Sequence, residues 1–235
     1  MRLDQFVSQA LTISRKQAQT LIRAHSIRVN GQTVTQASTL VPSQAQVCYE
    51  DAVIGLPGKL YLMLHKPSGV ISATTDPSQR TVLDLIKHPH VHTLHPVGRL
   101  DKDTTGLILL TNDGQWSHRI SAPRQQVPKV YLAQLAEPLT KVAAKQLELG
   151  VRLQGETLLV AASHIEILPE QSARLTIHEG KYHQVKRMFA AVGNRVEQLH
   201  REQIGNLSLD PSLAAGEWRL LTEPETQWVF AKAVN

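Results

Sequence analysis

The stretch HPVGRLDKDTTGLILLTNDG, residues 95–114, decides the fold. Gly98 and Gly106 bracket a polar loop that carries Arg99, Asp101, Lys102 and Asp103. The loop runs straight into Leu107-Ile108-Leu109-Leu110, and Asn112-Asp113-Gly114 closes it. Four aliphatic residues without polar alternation, ended by a turn, predict a strand buried on both faces. A loop mounted on a core strand is a stiff support for a reactive group. Asp101 and Asp103 alternate with cations, so they read either as an acid/base pair or as a turn that bonds its own backbone. The same tripeptide, Arg-Leu-Asp, recurs at Arg2-Leu3-Asp4. There it opens a helix, where an acid in the first turn suits the macrodipole.

Outward from this strand, residues 59–235 alternate irregularly between short strands and helices. Strands are predicted over 60–65, 107–111, 130–136, 156–162, 164–168, 173–178, 196–201 and 218–221. A helical turn is predicted over 82–86, with helices over 140–149 and 183–192, each followed by a glycine. Regular strand-helix alternation and a GxGxxG fingerprint are both missing. The pattern therefore predicts an α+β domain with a mixed, largely antiparallel sheet and not a doubly wound nucleotide fold.

Residues 1–58 form a separate block. Leu3, Phe6, Val7, Ala10 and Leu11 recur at helical spacing. Ser14 reads as an N-cap for a second helix with Ala18, Leu21 and Ile22 on one face and Arg15, Lys16, Gln19 and Arg23 on the other. Ile27 to Val34 alternates around Asn30-Gly31, which predicts a β-hairpin with a tight turn. Ile54-Gly55-Leu56-Pro57-Gly58 is the predicted linker.

The chain has 235 residues, of which 42% are apolar, a net charge of +5 and a pI near 9.4. No apolar run approaches a membrane span, and the start lacks the features of a signal peptide. A lone Cys48 leaves no CxxC site and points to core packing and a reduced, cytoplasmic setting. Cations gather at Arg99, Lys102, Arg119, Arg124 and Lys129, and again at Lys181, Lys186, Arg187, Arg195 and Arg201. Such clusters favour a polyanion partner, with nucleic acid ahead of membrane. His88, His90, His92 and His95 are broken up by Pro89 and Pro96, so no metal site is expected. Packing is expected for at least two of Trp116, Trp218 and Trp228, although any of them offers a ring on which a base can stack.

Arg2-Leu3-Asp4, Ser14-Arg15, Ala18, Ile22, Val29-Asn30-Gly31 and Val34 together resemble the S4 RNA-binding domain. The resemblance implies a small S4-like αββ-type domain that holds structured RNA through its second helix. It marks Arg2, Ser14, Arg15, Lys16, Arg23, Arg28 and Asn30 as RNA-binding. Many members have a glycine where this chain has His25-Ser26, so a side chain there must accept the helix-ending geometry with some strain.

Three further stretches carry a second resemblance: Gly98 to Gly106, Pro128-Lys129-Val130-Tyr131, and Glu179 to Met188. In this order they resemble the pseudouridine synthases, in particular the bacterial branch that modifies small-subunit ribosomal RNA. Large-subunit relatives usually have Asn-Arg in place of Tyr182-His183. The resemblance implies a catalytic Asp101, an active-site Tyr131, and Lys186 as the cation paired with the aspartate. It places Arg99, Val185 and Arg187 at the substrate, and Lys129 and Lys181 on the RNA. It implies isomerisation of a uridine in 16S ribosomal RNA, by analogy uridine 516, on free RNA or a small-subunit assembly intermediate.

The residue types suit that reaction. Breaking and remaking a glycosidic bond needs neither redox change nor nucleotide energy, so no cofactor is expected. A carboxylate can attack the sugar or take a proton from it, and an adjacent cation keeps it ionised. Tyr131 offers a flat ring to a base in transit. Cys48 is not needed as a nucleophile, and Asp103 reads as a loop-stabilising group. A monomer without membrane attachment is expected. The competing expectations are a non-catalytic S4-domain assembly factor, a nucleoside or glycoside hydrolase using Asp101 and Asp103, and a large-subunit synthase.

Overall fold

The computed structural model describes residues 1–228. It separates into two compact units, residues 1–60 with 88–93, and residues 61–87 with 94 onward. The segment His88–Thr93, expected in the second domain, groups with the first.

The first unit begins with α1 (Leu3–Leu11) and α2 (Arg15–Arg23). Strands β1 (Ile27–Val29), β2 (Gln32–Thr33), β3 (Val47–Tyr49) and β4 (Ala52–Ile54) follow. The sheet order is β2-β1-β3-β4. Leu3, Phe6, Val7, Ala18, Ile22, Ile27 and Val47 form its core. Ser14 caps α2 in a full capping box with Gln17. Asn30 and Gly31 both have positive φ and link β1 to β2 by a two-residue turn, the geometry that Asn-Gly favours. His25 sits at φ +61, the left-handed position expected to strain a non-glycine.

Asp4 does more than favour a dipole. Its side chain is 1% exposed and accepts hydrogen bonds from Arg2, Arg15 and Gln19. The Arg2 guanidinium, ahead of Gln19 and Arg15, holds the Asp4 carboxyl well below the usual carboxylate range, against the opposing effect of burial. The carboxylate therefore locks the start of α1 to α2.

In the second unit, β5 (Tyr61–Lys66), β6 (His95–Val97) and β7 (Thr105–Thr111) precede α3 (Gly114–Ser121). Then come β8 (Lys129–Leu135), α4 (Lys141–Leu149), β9 (His164–Leu168), β10 (Ser172–Ile177) and α5 (Gln184–Ala191). The last elements are β11 (Val196–Ile204), β12 (Leu207–Ser208), β13 (Trp218–Leu220) and α6 (Glu223–Gln227). The main sheet runs β13-β5-β7-β11-β8-β10-β9, with β6 on β7 and β12 on β11. Its named strand pairs are antiparallel apart from β7 with β11, so the expected mixed, largely antiparallel sheet is present.

One sequence expectation is corrected, and one strand end gains a second role. Residues 156–162 are not a strand; they form a loop touched down by one bridge, Val151 to Val160. Asn112-Asp113-Gly114 does more than end a strand. Asp113 caps α3 by accepting hydrogen bonds from the backbone of Gln115 and Trp116, and its other oxygen accepts from the Tyr61 hydroxyl. That helix buries Trp116 and Ile120 against Met63, Leu107 and Leu109.

Gly106 is required at the parallel junction. Its φ is +105, and a side chain there would overlap the Arg201 backbone. The missing Cβ lets β11 approach β7 closely enough to place Arg201 opposite Gly106 on one side and Tyr131 on the other.

Candidate active site

The loop 98–104 is held from beneath. Gly98 has φ +76, and Leu100 is buried. The Leu100 amide donates to the Ser72 hydroxyl, which donates to the Leu100 carbonyl. Lys66 ends β5 with a fully buried side chain. Its ammonium donates to the carbonyls of Pro67, Lys102 and Thr104 at 3.0, 3.1 and 2.8 Å. Burial lowers the Lys66 pKa to about 8, opposed by the nearby carboxylates of Asp103 and Asp101. An ordinary lysine thus becomes a three-pronged brace under the loop.

Above the brace stands Asp101, its side chain 28% exposed. Its Oδ1 is 3.4 Å from His183 Nε2, and its Oδ2 is 3.6 Å from Lys186 Nζ. The ammonium of Lys186 donates to both oxygens of Asp103, at 2.6 and 2.8 Å. Lys186 therefore adjoins Asp101 as expected, but its hydrogen bonds go to Asp103. Lys186 keeps the Asp103 carboxyl below its ordinary value. Asp103, read as a loop-stabilising group, is the anchor that fixes the cation beside Asp101.

Opposite the loop, β8 presents Tyr131, 6% exposed. Its hydroxyl accepts a 3.4 Å hydrogen bond from Arg201, whose guanidinium also lies 5.9 Å from the ring centroid. Arg201 is 2% exposed and donates through Nε to the Leu107 carbonyl, while its Nη2 has no hydrogen-bond partner among the described residues. A narrow cleft of about 60 Å³ runs between Asp101 and Tyr131, walled by Leu100, Ile177, Val185 and Leu199. It adjoins an open cavity of about 550 Å³ that shares Arg99, Asp101 and His183 and adds Lys102, Lys186 and Tyr182. A slot that mixes apolar walls with polar groups and carries one carboxylate suits a flat, neutral, hydrogen-bonding ring whose attached sugar meets the acid.

The other expected residues divide by their partners. Arg99 is exposed at the cleft, and Val185 is buried in its wall. Lys181 lies at the rim but bonds Glu156, which raises its pKa. Lys129 lines, with Arg201, an adjoining cavity of about 260 Å³ that shares Arg99 and Tyr131 with the cleft. Burial, then the Arg201 charge, pulls the Lys129 pKa down to about 8. Arg187, expected at the substrate, bonds the carbonyls of Tyr182 and Gln154 and lies 3.5 Å from Glu156. It braces the rim.

In the first unit, Ser14 is occupied as a cap, and Arg2 and Arg15 hold Asp4. Arg28 bonds Asp51 and the Glu50 carbonyl, while Asn30 accepts from the Gln46 amide. Lys16 and Arg23 are exposed on α2 without a side-chain partner among the described residues.

Three participants escaped the sequence reading: Lys66, Arg201 as the partner of Tyr131, and His183 as a neighbour of Asp101. A lysine closing the apolar run of Tyr61 to Lys66, just before Pro67, was the available signal for the first. Among the described residues, no group of three or more His, Cys, Asp or Glu side chains could hold a metal ion. No helix there is long and apolar enough to cross a membrane.

Residues 60–191 match the family model described as RNA pseudouridylate synthase, and residues 1–47 match the S4 domain. The chain is 45% identical to the ribosomal small subunit pseudouridine synthase A of Yersinia pestis, over 98% of this chain and 99% of that one. It is 46% identical to the protein of the same name from Escherichia coli strain K12, over 96% and 98%. A crystal structure of a pseudouridylate synthase superposes with a TM-score of 0.71 at 40% identity, covering 97% of this chain and 99% of that one. The chain belongs to the RNA pseudouridylate synthase family, as an isomerase with an N-terminal S4 domain.

Proposed function

We propose that this enzyme converts one uridine of 16S ribosomal RNA to pseudouridine, by analogy uridine 516, with Asp101 as the catalytic carboxylate. The observation that carries the reading is the pairing of Asp101 with the buried Tyr131 across one cleft, with cations fixed on the outer side. The small-subunit relatives in Yersinia pestis and Escherichia coli support the choice of RNA.

A uridine leaves its stack and its base enters between Leu100, Tyr131 and Val185. Asp101 acts at the ribose, either on C1′ as nucleophile or on the C2′ proton as base. The N1–C1′ bond breaks and its electron pair passes to the uracil. The base turns and C5 bonds to C1′; on the first route the Asp101–C1′ ester breaks and frees the carboxylate, and on the second C2′ takes back its proton from the Asp101 carboxyl. The C5 proton then leaves to solvent and N1 regains a proton. Atoms and electrons balance without a cofactor. Lys186 places its ammonium 3.6 Å from Asp101 Oδ2, and His183 Nε2 lies 3.4 Å from Oδ1.

Arg99 grips the everted nucleotide at the mouth. Val185 closes the slot, Lys181 and Lys129 add positive potential around it, and Arg187 acts on substrate through the rim it braces. In the first unit, Lys16 and Arg23 supply free charge to the RNA phosphates, with Arg2, Ser14, Arg15, Arg28 and Asn30 shaping that surface. The substrate is free 16S RNA or an assembling small subunit. A hydrolase would release uracil, and a non-catalytic assembly factor would leave C5 untouched. Release of tritium from 16S RNA labelled at uracil C5, with no free base and one pseudouridine at the mapped position, is expected. Tritium released only from large-subunit RNA would overturn the choice of substrate.

A further inference from the structure

We propose that Tyr182, backed by His183, is a base-stacking platform for the nucleotide that adjoins the target uridine in the RNA. This rests on the reading of Asp101 and Tyr131 as the place where the uridine reacts.

The two aromatic positions around Asp101 differ in depth. Tyr131 is 6% exposed and belongs to the slot. Tyr182 is 76% exposed and belongs to the wider cavity outside it. The Tyr182 ring lies on the His183 imidazole with centroids 3.9 Å apart and planes 16° apart. One face of the tyrosine is thus covered by a parallel ring, and the residue still presents most of its surface to solvent. A nucleobase placed on the open side extends a stack that is already begun, and base-aromatic stacking tolerates any base identity.

The platform is rigid. Arg187 donates to the Tyr182 carbonyl at 3.1 Å and is itself tied to the Gln154 carbonyl and to Glu156. The Lys181 amide donates to the Gln184 side chain at 2.9 Å, while Lys181 Nζ bonds Glu156 at 2.8 Å. His183 is held at φ +45 as the cap of α5, a left-handed turn that brings the two neighbouring rings into register. These contacts hold the backbone that carries the ring, and the His183 stack orients the ring itself.

Its position fits a neighbour and not the target. His183 Nε2 is 3.4 Å from Asp101, so the platform is joined to the reactive carboxylate. The same cavity is rimmed by Arg99 and Lys102, which suit the phosphates linking one nucleotide to the next, and by the ion pair of Lys186 with Asp103. A ribose at Asp101 directs its flanking chain into this cavity, where the exposed ring waits.

The test uses the full-length enzyme and a 16S RNA fragment with 2-aminopurine placed 5′ or 3′ of the modified uridine. Wild type and Tyr182→Trp should quench the fluorophore at one of the two positions, and Tyr182→Ala should lose that quench. KM for the fragment should rise about tenfold in Tyr182→Ala, more than kcat falls. A quench retained by Tyr182→Ala, no quench by wild type at either position, or an unmoved KM would overturn the platform. Tritium release by wild type from a C5-tritiated fragment without 2-aminopurine reports separately on the proposed reaction. Because the tyrosine side chain is mostly solvent-exposed, its truncation leaves the core intact.

Discussion

Replacing Lys66 with methionine should destabilise the enzyme by an amount that depends on pH in a calculable way. The side chain is fully buried and serves three carbonyls. Leaving three buried carbonyls without a donor costs on the order of 6 kcal/mol, at about 2 kcal/mol each. Against this, methionine removes a buried charge. The interval between the ordinary lysine value of 10.5 and the folded value of about 8 corresponds to roughly 3 kcal/mol. At pH 7 the variant should therefore be less stable by about 3 kcal/mol. As pH rises from 8 toward 10.5, folded Lys66 is neutral while the unfolded chain still binds the proton. The unfolded state then binds more protons, so the wild type gains stability over this window and the variant does not. The gap should widen by roughly 3 kcal/mol by pH 10.5, where the neutral amine keeps two N–H donors for the three carbonyls. Lys129 titrates near the same pH but is present in both proteins and cancels in the difference. Urea unfolding of both proteins at pH 7, 8, 9 and 10 measures the gap. A gap that stays constant, or narrows, would refute the brace.

Two other substitutions test the frame. Gly106→Ala should cost at least 2–3 kcal/mol in thermal unfolding, because a Cβ at φ +105 is strained and meets the Arg201 backbone. The variant that folds should lose turnover about a hundredfold through displacement of Tyr131 and Arg201, measured as C5-tritium release. Asp4→Asn should destabilise the first unit by about 2–3 kcal/mol, seen as lost amide-exchange protection in α1 and α2. Since the folded Asp4 pKa lies below its unfolded value, its contribution is complete above about pH 4 and is lost as pH falls through the folded pKa. The wild-type and variant stabilities should converge in acid.

Much of this architecture was legible because it is local. The Asn30-Gly31 turn, the Ser14 cap and the apolar run from Leu107 each announce themselves within a few residues. Where two local signals overlapped, the reading was incomplete. Asn112-Asp113-Gly114 carries a turn pattern, yet Asp113 uses the same chemistry to start α3. Leu158, Leu159 and Val160 resemble a strand, but the segment is a loop whose Glu156 restrains Lys181 and Arg187. The least legible contacts join distant strands. Lys66 meets carbonyls of residues 102 and 104, and Arg201 meets Tyr131 from the neighbouring strand β11. Nothing beside either cation in the chain reveals those partners. The resemblance named Asp101, Tyr131 and Lys186 as candidates, while the structure shows Asp103 holding Lys186.

The central claim is that the Asp101 carboxylate itself performs chemistry at the ribose. Its most direct test is tritium release from C5-labelled 16S RNA by Asp101→Asn, run beside an RNA-binding titration of the same variant. The amide keeps the size of the carboxylate and removes its charge, so release should fall to background while affinity changes less than tenfold. Pseudouridine formed by Asp101→Asn at more than about a hundredth of the wild-type rate would contradict the assignment.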